Sequence, residues 1–166
     1  MQLNKVFSYL CIVSKEDIHI DFENSIGPWI GKTVKLMDYI ILESLKSSNL
    51  DLTKEQMIVL KKLHDSDGLN QNDLAFLTLR NKSSLTRLLA KMESKNYILR
   101  KQSPTDKRVN NVFLTDLGKE TFYKTKPVIK EMITTMELGI SKEEKDQMIQ
   151  TLKKVQTNFN SKNEFI

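Results

Sequence analysis

A chain of 166 residues with 39% hydrophobic and 28% charged side chains can bury one sizeable core, which sets it apart from disordered polypeptides. Its 26 Lys and Arg outweigh 21 Asp and Glu to give a formal charge of +5. No apolar run approaches the ~20 residues of a membrane span, and a single cysteine, Cys11, excludes an internal disulfide framework.

Residues 1–26 read as an N-terminal arm. The VFSYLCIV run beside Lys5 is too short for a secretory signal and leads into the acidic SKED with no small-residue cleavage site, so a cytoplasmic location is expected. Ile18, Ile20 and Phe22 alternate with polar residues, which suits a short strand or an extended segment. From Pro28 to about Lys46 the period becomes helical, with Ile30, Val34, Met37, Ile41 and Leu45 on one stripe. Trp29, Leu36 and Ile40 widen that stripe, as expected of a helix sandwiched between neighbours.

Ser47–Leu52 breaks the pattern. Thr53 and Gln56 form a capping-box signature for a second helix, whose inner face is Met57, Leu60 and Leu63. After a turn at Asp67-Gly68, Asn70 can cap a short third helix holding Leu74, Ala75 and Leu77. Asn81 can cap a fourth, where Leu85, Leu88, Leu89 and Met92 sit at i, i+3, i+4 and i+7. Ser83, Arg87, Ala90, Lys91 and Ser94 occupy its opposite side, with Thr86 on the flank. Asn96 is the expected stop, since asparagine tolerates the left-handed conformation.

Tyr97–Gln102 and Val109–Leu114 read as two strands joined by the turn-rich SPTDKR. Thr115 then caps a helix over roughly 116–138, with Pro127 inside it as an expected kink. Ser141 and Glu144 form a second capping box, and Met148, Ile149, Leu152, Val155 and Phe159 mark the apolar face of the last helix. Three short helices followed by a hairpin make a winged helix-turn-helix plan. The fold class expected is therefore mainly α with a small β-hairpin wing.

Charge is concentrated on one part of this plan. From Arg80 to Arg108 nine Lys or Arg face two acids, Glu93 and Asp106, so this stretch is +7 while the rest of the chain sums to −2. Such a footprint on a helix and hairpin is that of a nucleic-acid reader. A helix fits the major groove, where Lys82, Ser83, Thr86 and Arg87 near its start would reach base edges or phosphates. The fork of Arg87 suits a guanine or a phosphate, and the hydroxyls of Ser83, Ser84 and Thr86 suit phosphates.

The stretch NKSSLTRLLAKMESKNYILRKQSPTDKRVNNVFLTDLGK resembles the MarR family of bacterial transcription regulators, and the resemblance extends over about residues 24–160. It is carried by the run Lys82-Ser83-Ser84-Leu85-Thr86-Arg87-Leu88 and by Asp106-x-Arg108 followed by Leu114-Thr115-x-x-Gly118. Asn96 stands where the family usually has Gly, and Lys107 replaces a frequent Arg. The resemblance implies that Arg108 enters or flanks the minor groove, with Asp106 holding its guanidinium by a salt bridge and Lys101, Lys107 and Asn110 adding backbone contacts. It implies a homodimer on a pseudo-palindromic duplex, a repressor role and a small-molecule effector, with Trp29, Met37 and Tyr39 on the helix beside the effector pocket, where core or dimer packing is the alternative reading.

The domains expected are the arm (1–26), an N-terminal dimerisation helix (27–50), a winged helix-turn-helix DNA-binding domain (51–115) and C-terminal dimerisation helices (116–166). Neither His19 nor His64 has partners at metal spacing, so structural roles are expected of them and no metal or cofactor. With no apolar run of spanning length, no membrane partner is expected either. No nucleophile-base pair or phosphate-binding Gly loop points to an enzyme. Two other readings stay open: a winged helix that binds an acidic protein, and a regulator that senses oxidants through Cys11.

Overall fold

The protein is described by a computed structural model over residues 20–160. Cys11, Ile18 and His19, with the readings placed on them, lie outside the described residues. Ile20 and Phe22 belong to no strand. The chain falls into two compact units, one ending at Leu36 and one beginning at Met37.

Helix α1 spans Ile26–Ser47 and contributes residues to both units. In the first unit Asp21 prepares the helix start, accepting the Asn24 backbone N–H at 3.0 Å and its side-chain amide at 2.7 Å. The Trp29 indole N–H donates to the Glu23 carbonyl at 2.7 Å. Pro28 sits in the first turn, where a missing N–H costs nothing. Of the expected inner stripe only Ile41 and Leu45 are buried; Val34, Trp29, Leu36 and Ile40 are exposed.

In the second unit the local signals act as read. Thr53 and Gln56 close a capping box at the start of α2, Lys54–Asp65, whose Met57, Val59, Leu60 and Leu63 are buried. Gly68, at φ +80, turns the chain into a two-residue strand β1, Leu69–Asn70. Asn70 caps α3, Gln71–Leu77, by accepting from the Asn72 and Asp73 backbone N–H groups. Asn81 caps α4, Lys82–Ser94, by accepting from Ser84. Strands β2, Ile98–Gln102, and β3, Asn110–Leu114, follow.

These strands form an antiparallel sheet in the order β1-β3-β2, with Leu69 opposite Val112 and Arg100 also opposite Val112. The sequence reading missed β1, since two residues cannot display an alternation. Asp67 reinforces that edge by accepting the Leu114 backbone N–H at 2.9 Å.

Thr115 caps α5, Asp116–Met136, which continues through Pro127. Ser141 and Glu144 make the reciprocal bonds of a capping box, 2.8 and 3.2 Å, ahead of α6, Lys142–Asn160. Leu45, Leu60, Leu63, Leu74, Leu85, Leu89, Met92, Ile98 and Val112 form the centre of one core. His64 has the structural role expected of it: its ring lies 4.5 Å from that of Phe122, and its Nε2 is 3.3 Å from the Tyr123 hydroxyl. The order α2-β1-α3-α4-β2-β3 is that of a winged helix.

Candidate nucleic-acid interface

Leu85, Leu89 and Met92 fasten one side of α4 to the core, and Leu88 is half-buried beside them. Because the helix period puts the remaining positions opposite, Lys82, Ser83, Thr86, Arg87, Ala90, Lys91 and Ser94 are all exposed. The cationic face of α4 is thus open to solvent. Ser84 departs from the expectation, being half-buried, with its hydroxyl accepting from Arg80 Nη1 at 2.9 Å. The Ser83 hydroxyl donates to Asn81 Oδ1 at 2.9 Å and that of Thr86 to the Lys82 carbonyl at 2.8 Å. Their lone pairs stay accessible, but their protons are engaged within the helix.

The wing tip is stiffened by its own turn chemistry. Ser103 is buried, its N–H donates to the Val109 carbonyl at 2.8 Å, and its Oγ lies 3.0 Å from Thr105 Oγ1. The Gln102 amide donates to the Lys107 carbonyl at 2.8 Å. Asp106 does meet Arg108, but not as the resemblance implied: its Oδ1 accepts the Arg108 backbone N–H at 2.9 Å. A two-residue separation favours that local turn bond over a bridge to the distant guanidinium. Lys101, Asp106, Lys107, Arg108 and Asn110 are all exposed. The Lys101 ammonium leans over the Phe113 ring at 5.7 Å from its centroid.

The nine cations of this region are not equivalent, which the sequence alone did not reveal. Arg80 lies 3.7 Å from Glu55, Lys95 2.7 Å from Asp51, and Arg100 2.5 Å from Glu93. Among the described residues no carboxylate pairs with the other six: Lys82, Arg87, Lys91, Lys101, Lys107 and Arg108. These six belong to the outer side of α4 and to the wing.

Glu93 is the residue that sequence reasoning passed over. Its Oε2 accepts from Arg100 Nε at 3.0 Å and Nη2 at 2.5 Å, while Oε1 accepts the Arg100 backbone N–H at 3.1 Å. The Arg100 side-chain hydrogen bonds hold its carboxyl below the usual Glu range. A signal was present: an acid in the last turn of a helix opposes the macrodipole, so it needs a local partner.

Met37 and Tyr39 frame neither of two cavities in the second unit, and Trp29 belongs to the first. One, of about 540 Å³, lies between Ser48–Asp51, Lys95, Tyr97 and the start of α5. The other, of about 340 Å³, lies between Lys61 on α2 and Phe122, Lys126, Ile129 and Ile133 on α5. Trp29 and Tyr39 are exposed and Met37 half-buried. Among the described residues no cluster of His, Cys, Asp or Glu could hold a metal, and no helix is long and apolar enough to cross a membrane.

A family model described as the MarR family matches residues 52–109. The transcriptional regulator HosA of Escherichia coli O111:H- is 32% identical over 106 residues, covering 63% of this chain and 78% of that protein. The HTH-type transcriptional regulator YdgJ of Bacillus subtilis is 28% identical over 110 residues, covering 66% and 67% respectively. Among solved structures, the S. aureus MepR–DNA complex superposes with a TM-score of 0.76 at 28% identity, covering 82% of this chain and 99% of that one.

Proposed function

Since the chain belongs to the MarR family of transcriptional regulators, we propose that it acts in the cytoplasm as a homodimeric repressor on a pseudo-palindromic operator. One observation carries this reading: six cations that no carboxylate among the described residues pairs with lie on the outer side of α4 and on the wing. Two copies of α4 related by a two-fold axis enter successive major grooves, about 34–36 Å apart. The S. aureus MepR–DNA complex, at 28% identity, supports the same mode of use for this fold.

In this reading Arg87 contacts a guanine or a phosphate, Lys82 and the lone pairs of Ser83 and Thr86 bind near the helix start, and Ser84 serves mainly to hold Arg80. Arg108 lies at the minor groove, where narrow A·T-rich stretches concentrate negative potential. Lys101, Lys107 and Asn110 take the flanking backbone, and Asp106 fixes the turn that presents Arg108. Residues 27–50 and 116–166 assemble the dimer, 51–115 read the duplex, and an effector near Trp29, Met37 and Tyr39 resets the spacing of the two readers.

The test is selection of bound duplexes from a random pool, followed by titration of the selected site against salt. A two-fold-symmetric consensus and a steep fall of affinity with salt are expected, because neutralised phosphates release counterions. Arg87→Ala should lower the ratio of operator to random-duplex affinity by about 1–3 kcal/mol if the contact is to a base. An unchanged ratio assigns Arg87 to phosphate, and no duplex affinity even at low salt overturns the proposal in favour of a protein-binding winged helix.

A further inference from the structure

Strand β2 lies at the edge of the sheet, with β3 on one side only. Edge strands carry backbone N–H groups with no ladder partner, and an uncovered edge leaves a hairpin free to twist or to pair wrongly. Here the N–H of Arg100, midway along β2, is taken by Glu93 Oε1 from the last turn of α4 at 3.1 Å. The other carboxylate oxygen grips the same residue's guanidinium at 2.5 and 3.0 Å. One side chain of the reading helix therefore holds both the backbone and the side chain of one wing residue. The chain itself joins α4 to β2 through Lys95-Asn96-Tyr97, whose middle residue is in the left-handed region at φ +57, and Met92 and Ile98 meet in the core beneath.

The location of this acid is otherwise unfavourable. It sits at a helix C-terminus and within the most cationic part of the chain, the part that would face a polyanion. Pairing with Arg100 makes the two residues electrically silent toward phosphate, while no carboxylate among the described residues pairs with the cations beyond them on the wing, Lys101, Lys107 and Arg108. Charge is thus sacrificed at the root of the wing, and what is gained there is geometry.

We propose, on the DNA-binding reading above, that Glu93 is a positioning residue: its grip on Arg100 sets the wing at the angle from which Arg108 and Lys107 reach the duplex while α4 occupies the major groove. Glu93 touches no nucleotide in this arrangement and acts through the wing.

The charge-neutral double variant Glu93→Gln, Arg100→Gln tests this, since it removes the clamp without altering net charge. Operator binding is titrated against salt for the parent and the variant, normalised to folded protein by circular dichroism. Loss of wing contacts should flatten the log–log salt slope by about 0.9 for each phosphate given up, so by roughly 2–3 per subunit, and about 5 for the dimer, if Lys101, Lys107 and Arg108 all let go. The operator preference read by α4 should persist. In an Arg108→Ala background the same double substitution should cost less than in the parent, as residues acting through one another are non-additive.

A single substitution, Arg100→Lys, keeps the charge and loses the fork, so it should flatten the slope in the same direction even if the double variant fails to fold. An unchanged slope in a folded variant, or a uniform loss that tracks the folded fraction, overturns the assignment. Parent protein that ignores duplex at every salt concentration sinks the DNA-binding reading itself, an outcome distinct from parent and variant binding alike.

Discussion

Backbone conformation at single residues carries much of the architecture. Three helices end in the same way: the N–H of the first residue past the cap bonds the carbonyl three residues before it, and the next N–H bonds the carbonyl five residues before itself. The pairs are Asn49 to Lys46 with Leu50 to Leu45, Leu79 to Phe76 with Arg80 to Ala75, and Asn96 to Glu93 with Tyr97 to Met92. This Schellman closure requires a left-handed residue, and Asn49, Leu79 and Asn96 have φ of 54, 52 and 57. Asparagine tolerates that region; leucine pays about 1–2 kcal/mol for its Cβ. Leu79 gains little in return, since its side chain is 71% exposed. Leu79→Gly releases the strain but gives the unfolded chain more freedom, worth about 0.4–1 kcal/mol against it. The expected result is a higher urea midpoint, by about 0.5–1 kcal/mol in stability. A lower midpoint would show that the Leu79 side chain supports the turn after all.

At the scale of elements, what could be read in advance was whatever depends on neighbours in sequence. The capping boxes at Thr53 and Ser141, the caps at Asn70, Asn81 and Thr115, and the left-handed stop at Asn96 are local devices, and all six form. Contacts that join distant residues were not legible. The two-residue strand β1 exists only because β3 lies beside it, and the Glu93–Arg100 clamp exists only because β2 returns past α4. For the same reason nine cations looked alike in sequence, whereas three are spent on acids from other elements. Gly118 shows the principle in reverse. The motif was legible, but its cause is tertiary: a Cβ there would lie 2.0 Å from the Tyr97 carbonyl oxygen. Gly118→Ala must push α5 off the root of the wing, since the obstacle is backbone and cannot rotate away. We expect a loss of about 2 kcal/mol or more in chemical denaturation. A variant as stable as the parent would mean that α5 and β2 separate at little cost.

At the scale of the molecule, apolar surfaces stand out that the described residues of one chain leave exposed. No residue of α6 with a described side chain is buried, and Met148, Ile149, Leu152 and Phe159 are exposed along it. Ile133 and Met136 at the end of α5, Leu138 and Ile140 in the turn after it, and Val34, Leu36, Ile40 and Leu42 on α1, are exposed too. Apolar stripes of this extent need a partner, and a two-fold copy supplies a self-complementary one. Because α6 contributes nothing to the buried core around Leu60 and Leu85, its face can be altered without emptying that core. Met148→Glu with Leu152→Glu places two carboxylates where an interface would exclude water, each costing several kcal/mol if left unpaired. The double variant should sediment as a monomer, keep its helical circular dichroism, and bind the full operator at least about 100-fold more weakly, because one reader loses the effective concentration supplied by the other. A dimer that survives both substitutions would place the assembly surface elsewhere. A monomer with undiminished operator affinity would separate recognition from pairing altogether, and would remove the two-fold spacing of the readers from the account of how this chain selects its site.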